Sequence, residues 1–317
     1  MPEFGRFVGI DVAKDRLDVH IHPDGIVFAV PNTRPGAGQL IERVGPTPAT
    51  AFALEASGGY ERTVAESLAG AGRVLFCLHP ADVRAFARLN GKRAKTDRLD
   101  AALIARAAAA AAATRKPYRT NKTANDLKEM IAGRQLVIDH LTTLKGQLSR
   151  ATVEPLRTLV AKRIKAAKAD IKRLDVLIAE TVTKTEALRD KARRIQTAPG
   201  AGPVLTATLL ADMSELGTLS SRQAASLVGV APHPRQSGTS QPPGRCHGGR
   251  ARLRRVLYMA TLAAIRCKKT PLHAFYERLR ANGKPFKLAI VAAMRKFIIT
   301  LNAMLKENRD WTPNHAT

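Results

Sequence analysis

Asp97 and Asp100 stand three residues apart in Ala94-Lys95-Thr96-Asp97-Arg98-Leu99-Asp100-Ala101, at the start of an alanine-rich stretch. At i and i+3 of a helix, two carboxylates share a face. Two more acids, Asp11 and Glu55, each follow an apolar run far upstream. Four carboxylates meeting at one place repel each other unless cations neutralise them. Their hard oxygen donors suit Mg²⁺ or Mn²⁺. A pair of such ions activates one oxygen and stabilises the leaving oxygen in phosphodiester exchange. The plainer account is that each acid only caps or flanks an element, and for Asp97, after Thr96, a helix cap would suffice. Taken together, the four predict a metal-bearing pocket for cutting a polyanion.

The charge supports a polyanionic partner. The 317 residues carry a formal net charge of +26, and it is unevenly spread. Residues 1–90 hold 9 Lys+Arg and 10 Asp+Glu, residues 91–190 hold 22 and 11, and residues 191–317 hold 21 and 5. The near-neutral first segment is therefore followed by segments of +11 and +16, the footprint of a phosphate-backbone binder. Aromatic residues are only 4%, so base stacking is not expected to dominate recognition. Cys77, Cys246 and Cys267 form no CxxC pair, which fits a reducing, cytoplasmic setting. Met1 to Gly5 does not open a signal peptide. The alanine run from Ala107 to Ala113 is too short to span a bilayer, so no membrane is expected.

The acids need strands and a helix to hold them. Phe7 to Val12 reads as a short buried strand, Arg16 to Ile21 as a half-buried one, and Ile26 to Val30 as a third after the Asp24-Gly25 turn. Gln39 to Val44 reads as a short helix, Ala51 to Glu55 as a strand, Tyr60 to Ala69 as a helix and Arg73 to Leu78 as a strand. A helix from Pro80, a basic loop from Asn90 to Lys95 and the Asp97 helix follow. This order predicts an α/β ribonuclease H-like domain, a mixed sheet with helices on both faces. In such a sheet the strands ending at Asp11 and Glu55 are neighbours.

From Asn121 to Val182, apolar residues recur at spacings near 3.5, first in Met130, Val137, Leu141, Leu144 and Leu148, then from Val160 to Ile178. This predicts an antiparallel coiled-coil hairpin. The rest reads as a helical domain. Its Pro199-Gly200-Ala201-Gly202 turn has the form of a helix-hairpin-helix module that could offer N–H groups to phosphate, or of a plain interhelical turn. Ser220 or Ser221 caps a helix, Ala231 to Gly249 is a loop, and Arg250 to Lys268 is a helix with four arginines in its first turns. Basic charge there opposes the helix dipole, and partner binding would explain it. Lys95, Arg235, Arg245, Arg250 and Arg254 are candidate phosphate contacts. The expected division is 1–118, 119–190 and 191–317.

Gly9-Ile10-Asp11-Val12-Ala13-Lys14, Leu54-Glu55-Ala56-Ser57-Gly58-Gly59-Tyr60 and Lys95-Thr96-Asp97-Arg98-Leu99-Asp100-Ala101 carry a resemblance. Pro199-Gly200-Ala201-Gly202, Gly229-Val230-Ala231-Pro232, Arg235-Gln236-Ser237-Gly238 and Arg254-Arg255-Val256-Leu257-Tyr258 extend it over nearly the whole chain. In these motifs the chain resembles the DEDD-type transposases of insertion sequences, which are bridge-RNA-guided recombinases. The resemblance implies a RuvC-like domain using Asp11, Glu55, Asp97 and Asp100 with Mg²⁺, and a C-terminal transposase domain that supplies a serine nucleophile. It also implies a covalent protein–DNA link, a structured guide RNA that pairs with target and donor DNA, and a composite site in a homo-oligomer, dimer or tetramer. A nucleoid-associated bacterial protein is the matching location. Ser237 matches the family's Ser-Gly position best, with Ser240 the alternative; His233 and His247 are nearby bases. Three other readings remain open: a RuvC-like junction endonuclease that uses water, a non-catalytic nucleic-acid scaffold, and a sugar kinase of actin-like fold, which leaves the basic tail half unexplained.

Overall fold

In the computed structural model the described residues are 4–46, 49–56, 58–91, 97–118, 121–233 and 244–313. The chain forms two compact units, Met1–Asn121 and Lys122–Thr317.

The first unit is built on β1 (Arg6–Val12), β2 (Arg16–His22), β3 (Ile26–Pro31), β4 (Thr50–Glu55) and β5 (Val74–Leu78), in the sheet order β3-β2-β1-β4-β5. β1, β2 and β3 are antiparallel neighbours, which short turns can join. β4 and β5 run parallel to the first strand. Parallel strands need crossovers, and α1 (Arg34–Val44) and α2 (Arg62–Gly70) provide them. Side chains alternate between the two faces. Ile10, Leu17, Val19, Phe52 and Leu54 pack beneath Leu40 of α1 and Leu68 of α2. Phe7, Ala51, Ala53 and Phe76 pack on the opposite face, under Val83 of α3 (Pro80–Leu89) and Leu103, Ile104 and Ala108 of α4 (Asp97–Ala111). Each of the large apolar side chains so buried contributes about 1.5–3 kcal/mol. The mixed sheet with helices on both faces is the arrangement expected from the sequence.

Gly9 explains the alanines of α4. A Cβ at Gly9 would overlap the Ala101 carbonyl oxygen and lie 2.5 Å from the Ala105 nitrogen. The helix backbone therefore rests directly on β1. Ala101, Ala105 and Ala108, all buried, let it approach that closely. The alanine run is a packing surface as much as a helix-favouring composition.

α1 begins five residues before the expected Gln39. Thr33 caps it by accepting a hydrogen bond from the Gly36 N–H at 3.1 Å, and Pro35 sits in its first turn. Pro-Gly-Ala-Gly looks like loop, but proline is favoured in a first helical turn. Gly36 is required there by the Pro31 carbonyl, which a Cβ would overlap.

The second unit opens with α5 (Lys122–Arg150) and α6 (Glu154–Lys184), two long helices that pack against each other. Leu144, Val160 and Ile164 form a small core along them, and Arg134 pairs with Asp175 across them at 2.5 Å. Leu127, Ile131, Ile178 and Val182 instead join the main core of the unit, with Ile195, Leu205 and Leu209. That core also takes in α7 (Glu186–Thr197), α8 (Pro203–Asp212), α9 (Ser221–Val228), α10 (Ala251–Arg266), α11 (Pro271–Ala281) and α12 (Phe286–Lys306). α12 is long and apolar enough to cross a membrane by length and composition. Its Ile290, Met294, Phe297, Ile298 and Leu301 are buried, so it reads as a core helix.

Gly9→Ala should lower the thermal unfolding midpoint, with a loss of about 1–3 kcal/mol from overpacking. Gly38→Ala, inside α1 with no atom within 4 Å of an added Cβ, should be neutral or stabilising by up to about 1 kcal/mol. Equal effects of the two in denaturant titrations would contradict the close approach of α4.

Candidate active site

In the parallel β1–β4 pair, Arg6 faces Thr50 and the register runs to Ile10 opposite Leu54. Asp11 and Glu55 follow that last pair, so they stand at the same level. Counting alternate residues from Gly9 and from Ala53 puts both on the face that carries α4. Both are partly exposed, as is Asp100. The first turn of α4, with Asp97 and Asp100, immediately precedes Ala101, the residue pressed on Gly9. The structure therefore sets the strand ends with Asp11 and Glu55, and the start of α4, on one side of the sheet. The side chain of Asp97 lies outside the described residues. Among the described residues, no three His, Cys, Asp or Glu side chains form a group that could hold a metal ion. Asp11, Glu55 and Asp100 each take part in a polar or electrostatic interaction.

Two neighbours of Asp11 escape a strand-by-strand reading. Asp18 lies directly opposite Asp11 in the antiparallel pair. Like charges so placed repel, and Arg16 offsets this by donating to Asp18 from Nε at 2.9 Å and from a terminal nitrogen at 2.7 Å. His20, opposite Gly9, is the second. Burial first, then His22 and Arg106, pull its imidazole below the ordinary value, so it is neutral at pH 7. Its Nδ1 is buried without a hydrogen-bond partner. The signal for both was the short Ala13-Lys14-Asp15 turn, which fixes the β1–β2 register.

In the second unit Ser237, Ser240 and Arg235 lie outside the described residues, as does Lys95 in the first. The roots of the serine loop are described. β6 (Pro232–His233) pairs with β7 (Arg245–Cys246), Pro232 against Cys246 and His233 against Arg245. This antiparallel pair is an element the composition of Ala231 to Gly249 did not announce. Three glycines anchor it. Gly229 ends α9 in the left-handed conformation, φ +78°. A Cβ there would overlap the Gly248 carbonyl and the Arg254 guanidinium, and one on Gly249 would overlap the Gly229 nitrogen. Arg254 donates to the Gly248 carbonyl at 2.5 Å and reaches the Val228 carbonyl at 3.4 Å. The α9 terminus, the hairpin exit and α10 are tied together at this point.

The arginines that open α10 have internal partners. Arg250 pairs with Glu215 at 2.5 Å, and Arg252 grips Asp212 with two nitrogens. These acids offset the unfavourable charge at the helix start, where the sequence suggested a bound partner instead. Arg250 and Arg254, expected at phosphate, are engaged by the protein itself. Arg245 and Arg255 are exposed. In the Pro199–Gly202 turn, Gly200 and Ala201 likewise face inward. A Cβ on Gly200 would lie 2.6 Å from the Ala260 carbonyl of α10. The Ala201 and Gly202 N–H groups donate to Ala198 and Gly200, and Pro203 has none, so these positions offer no N–H to an anion.

A neutral His20 makes stability pH-dependent. Its folded-state pKa lies below the unfolded value of about 6.5, so the stabilisation is present above that value. It is lost as pH falls, because the unfolded chain takes up the proton first. His20→Gln should therefore flatten the acid side of the unfolding midpoint measured against pH. At the hairpin root, Gly229→Ala should cost about 1–3 kcal/mol in chemical denaturation, through strained backbone and displaced Arg254.

Comparison with known proteins bears on both units. Residues 8–155 match the DEDD transposase model of the IS110 family, and residues 192–277 match the model "Transposase IS116/IS110/IS902 family". The pilin gene-inverting protein of Moraxella bovis is 25% identical over 315 residues, 96% of each chain. An uncharacterized 44.8 kDa protein of insertion element IS116 from Streptomyces clavuligerus is 30% identical over 207 residues, 57% of this chain and 50% of that one. Among solved structures, RuvC of Thermus thermophilus is similar to 36% of this chain and 99% of its own, at 16% identity and a TM-score of 0.27. With the two family models lying in sequence order, one in each half, the chain belongs to the IS116/IS110/IS902 family of transposases.

Proposed function

We propose that this transposase exchanges DNA strands through a RuvC-like carboxylate site and a serine nucleophile, guided by a structured RNA and working as a homo-oligomer. The observation that carries the reading is the shared level of Asp11 and Glu55 on one face of the sheet, with the α4 turn that bears Asp97 and Asp100 on the same face. The working division is a RuvC-like domain over 1–118, a coiled-coil hairpin over 119–190 and a transposase domain over 191–317. The pilin gene-inverting relative, by its name, also rearranges DNA.

Carboxylate oxygens from strand ends and a helix start are the hard donors that Mg²⁺ or Mn²⁺ prefers. Asp11, Glu55, Asp97 and Asp100 would hold the metal, which when bound supplies Lewis acidity to the scissile phosphate. Ser237 gives up its hydroxyl proton and bonds to phosphorus. The bridging P–O bond breaks, and the leaving deoxyribose oxygen takes a proton. A hydroxyl of the incoming strand then attacks the same phosphorus and releases Ser237. One phosphoester bond is made for each one broken, so no external energy source is needed. Basic side chains of the second unit, Arg245 among them, draw the DNA backbone to the protein. Their charge also suits the guide RNA, which pairs with target and donor DNA.

The test uses a plasmid carrying the gene with its native flanking DNA, and the nucleic acid that copurifies with the protein. Ser237→Ala should abolish the covalent protein–DNA adduct seen on denaturing gels. Asp11→Asn should cut recombination by more than about a hundredfold, and chelation of divalent ions should do the same. A discrete structured RNA should copurify. Full DNA cleavage by Ser237→Ala would mean a hydrolytic junction nuclease. Unchanged activity in Asp11→Asn would mean that the carboxylates do no chemistry.

A further inference from the structure

We propose that a cavity beside the hairpin root holds one unstacked nucleotide of the DNA, with Tyr258 against the base and Arg255 on its phosphate; this rests on the DNA-exchange reading above. The cavity measures about 540 Å³, within the size range of small-molecule pockets. Arg255 and Tyr258 line it from α10, and their i, i+3 spacing puts them on one helix face. Val230, Val291 and Met294 add apolar lining, and Cys246 lines it from β7. Cys246 pairs with Pro232 in the β6–β7 pair, so the cavity lies beside the two short strands that flank Ser237 in the sequence.

The chemistry of the lining favours a nucleotide. An aromatic wall with apolar lining stabilises a base removed from its stack, whatever its identity. A guanidinium beside it suits the phosphate. The neighbouring arginines are held internally, Arg250 by Glu215, Arg252 by Asp212 and Arg254 by the Gly248 carbonyl. Arg255 is exposed, and among the described residues its guanidinium has no hydrogen-bond or acidic partner. It is thus the cation on this stretch of α10 left available to a ligand. A strand-exchange enzyme must part bases next to the bond it breaks, and a pocket for a parted base would hold the strand in register with the nucleophile.

The test uses the full chain with (dT)12 carrying 5-iododeoxyuridine at its centre, single-stranded or annealed to (dA)12. Irradiation of the single-stranded complex should cross-link the peptide containing Tyr258, read by mass spectrometry, and the duplex should not. Tyr258→Leu should weaken single-strand binding about tenfold, whereas Tyr258→Phe should retain it. Arg255→Ala, a surface change, should weaken binding and reduce the salt slope by about one. Cross-links only elsewhere, equal cross-linking of the duplex, or Arg255→Ala binding within twofold of the native protein with an unchanged salt slope would each overturn the proposal. Ser237→Ala should keep the cross-link while losing the covalent adduct. An adduct that persists in Ser237→Ala with the cross-link intact would count against the serine mechanism and leave the pocket standing; a serine-dependent adduct with no cross-link at Tyr258 would do the opposite.

Discussion

The contact of α4 with β1 at Gly9 is the constraint on which the first unit depends. A helix normally stands off a sheet by the length of its side chains. Here glycine on the strand and alanines on the helix remove that spacing, and backbone meets backbone. The start of α4 cannot then drift relative to β1 without opening the core that Leu103, Ile104 and Ala108 share with Phe7, Ala51 and Phe76. The position of Asp97 and Asp100 along the sheet is thus set by packing that starts at the adjacent Ala101 and runs along the helix behind them. The parallel register does the same for Asp11 and Glu55. A slip of one residue in β4 would turn Glu55 to the opposite face, among the apolar side chains under α1 and α2.

The second unit places its chemistry by electrostatics and close backbone contact. Four arginines in the first turns of α10 would destabilise that helix if left alone. Asp212 and Glu215, at and just beyond the C-terminal end of α8, neutralise two of them, and main-chain carbonyls take up a third. The same bonds fix α10 against α8 and against the root of the β6–β7 hairpin. The net charge of a basic segment therefore says how strongly it attracts phosphate at a distance, but not which side chains touch it. Most of these arginines hold the unit together, and the exposed Arg255 is the exception.

Much of the fold could be read in the sequence because it rests on local patterns. Alternation in Arg16 to Ile21 marks a strand with one buried face, and the repeat from Val160 to Ile178 marks a helix that buries a stripe. Ser220 with Gln223 forms the capping box that starts α9. Other elements were hidden. The first turn of α1 contains Pro35, Gly36 and Gly38, residues of loop-like composition that Thr33 and the close Pro31 carbonyl nonetheless accommodate in a helix. The β6–β7 hairpin has two-residue strands, too short for any periodicity.

The candidate sites divide along the same line. The sequence by itself determined the residue types, the order of the acidic motifs, the basic tail half and the membership of a transposase family, because these are properties of the chain and its spacing. Tertiary structure decided that Arg250 and Arg252 pair with Glu215 and Asp212, that Arg254 ties the hairpin root, and that Arg255 is left exposed beside Tyr258. The physical reason is that partners of opposite charge and backbones in contact come from residues tens of positions apart. Which arginine meets which acid is therefore fixed only when the helices pack.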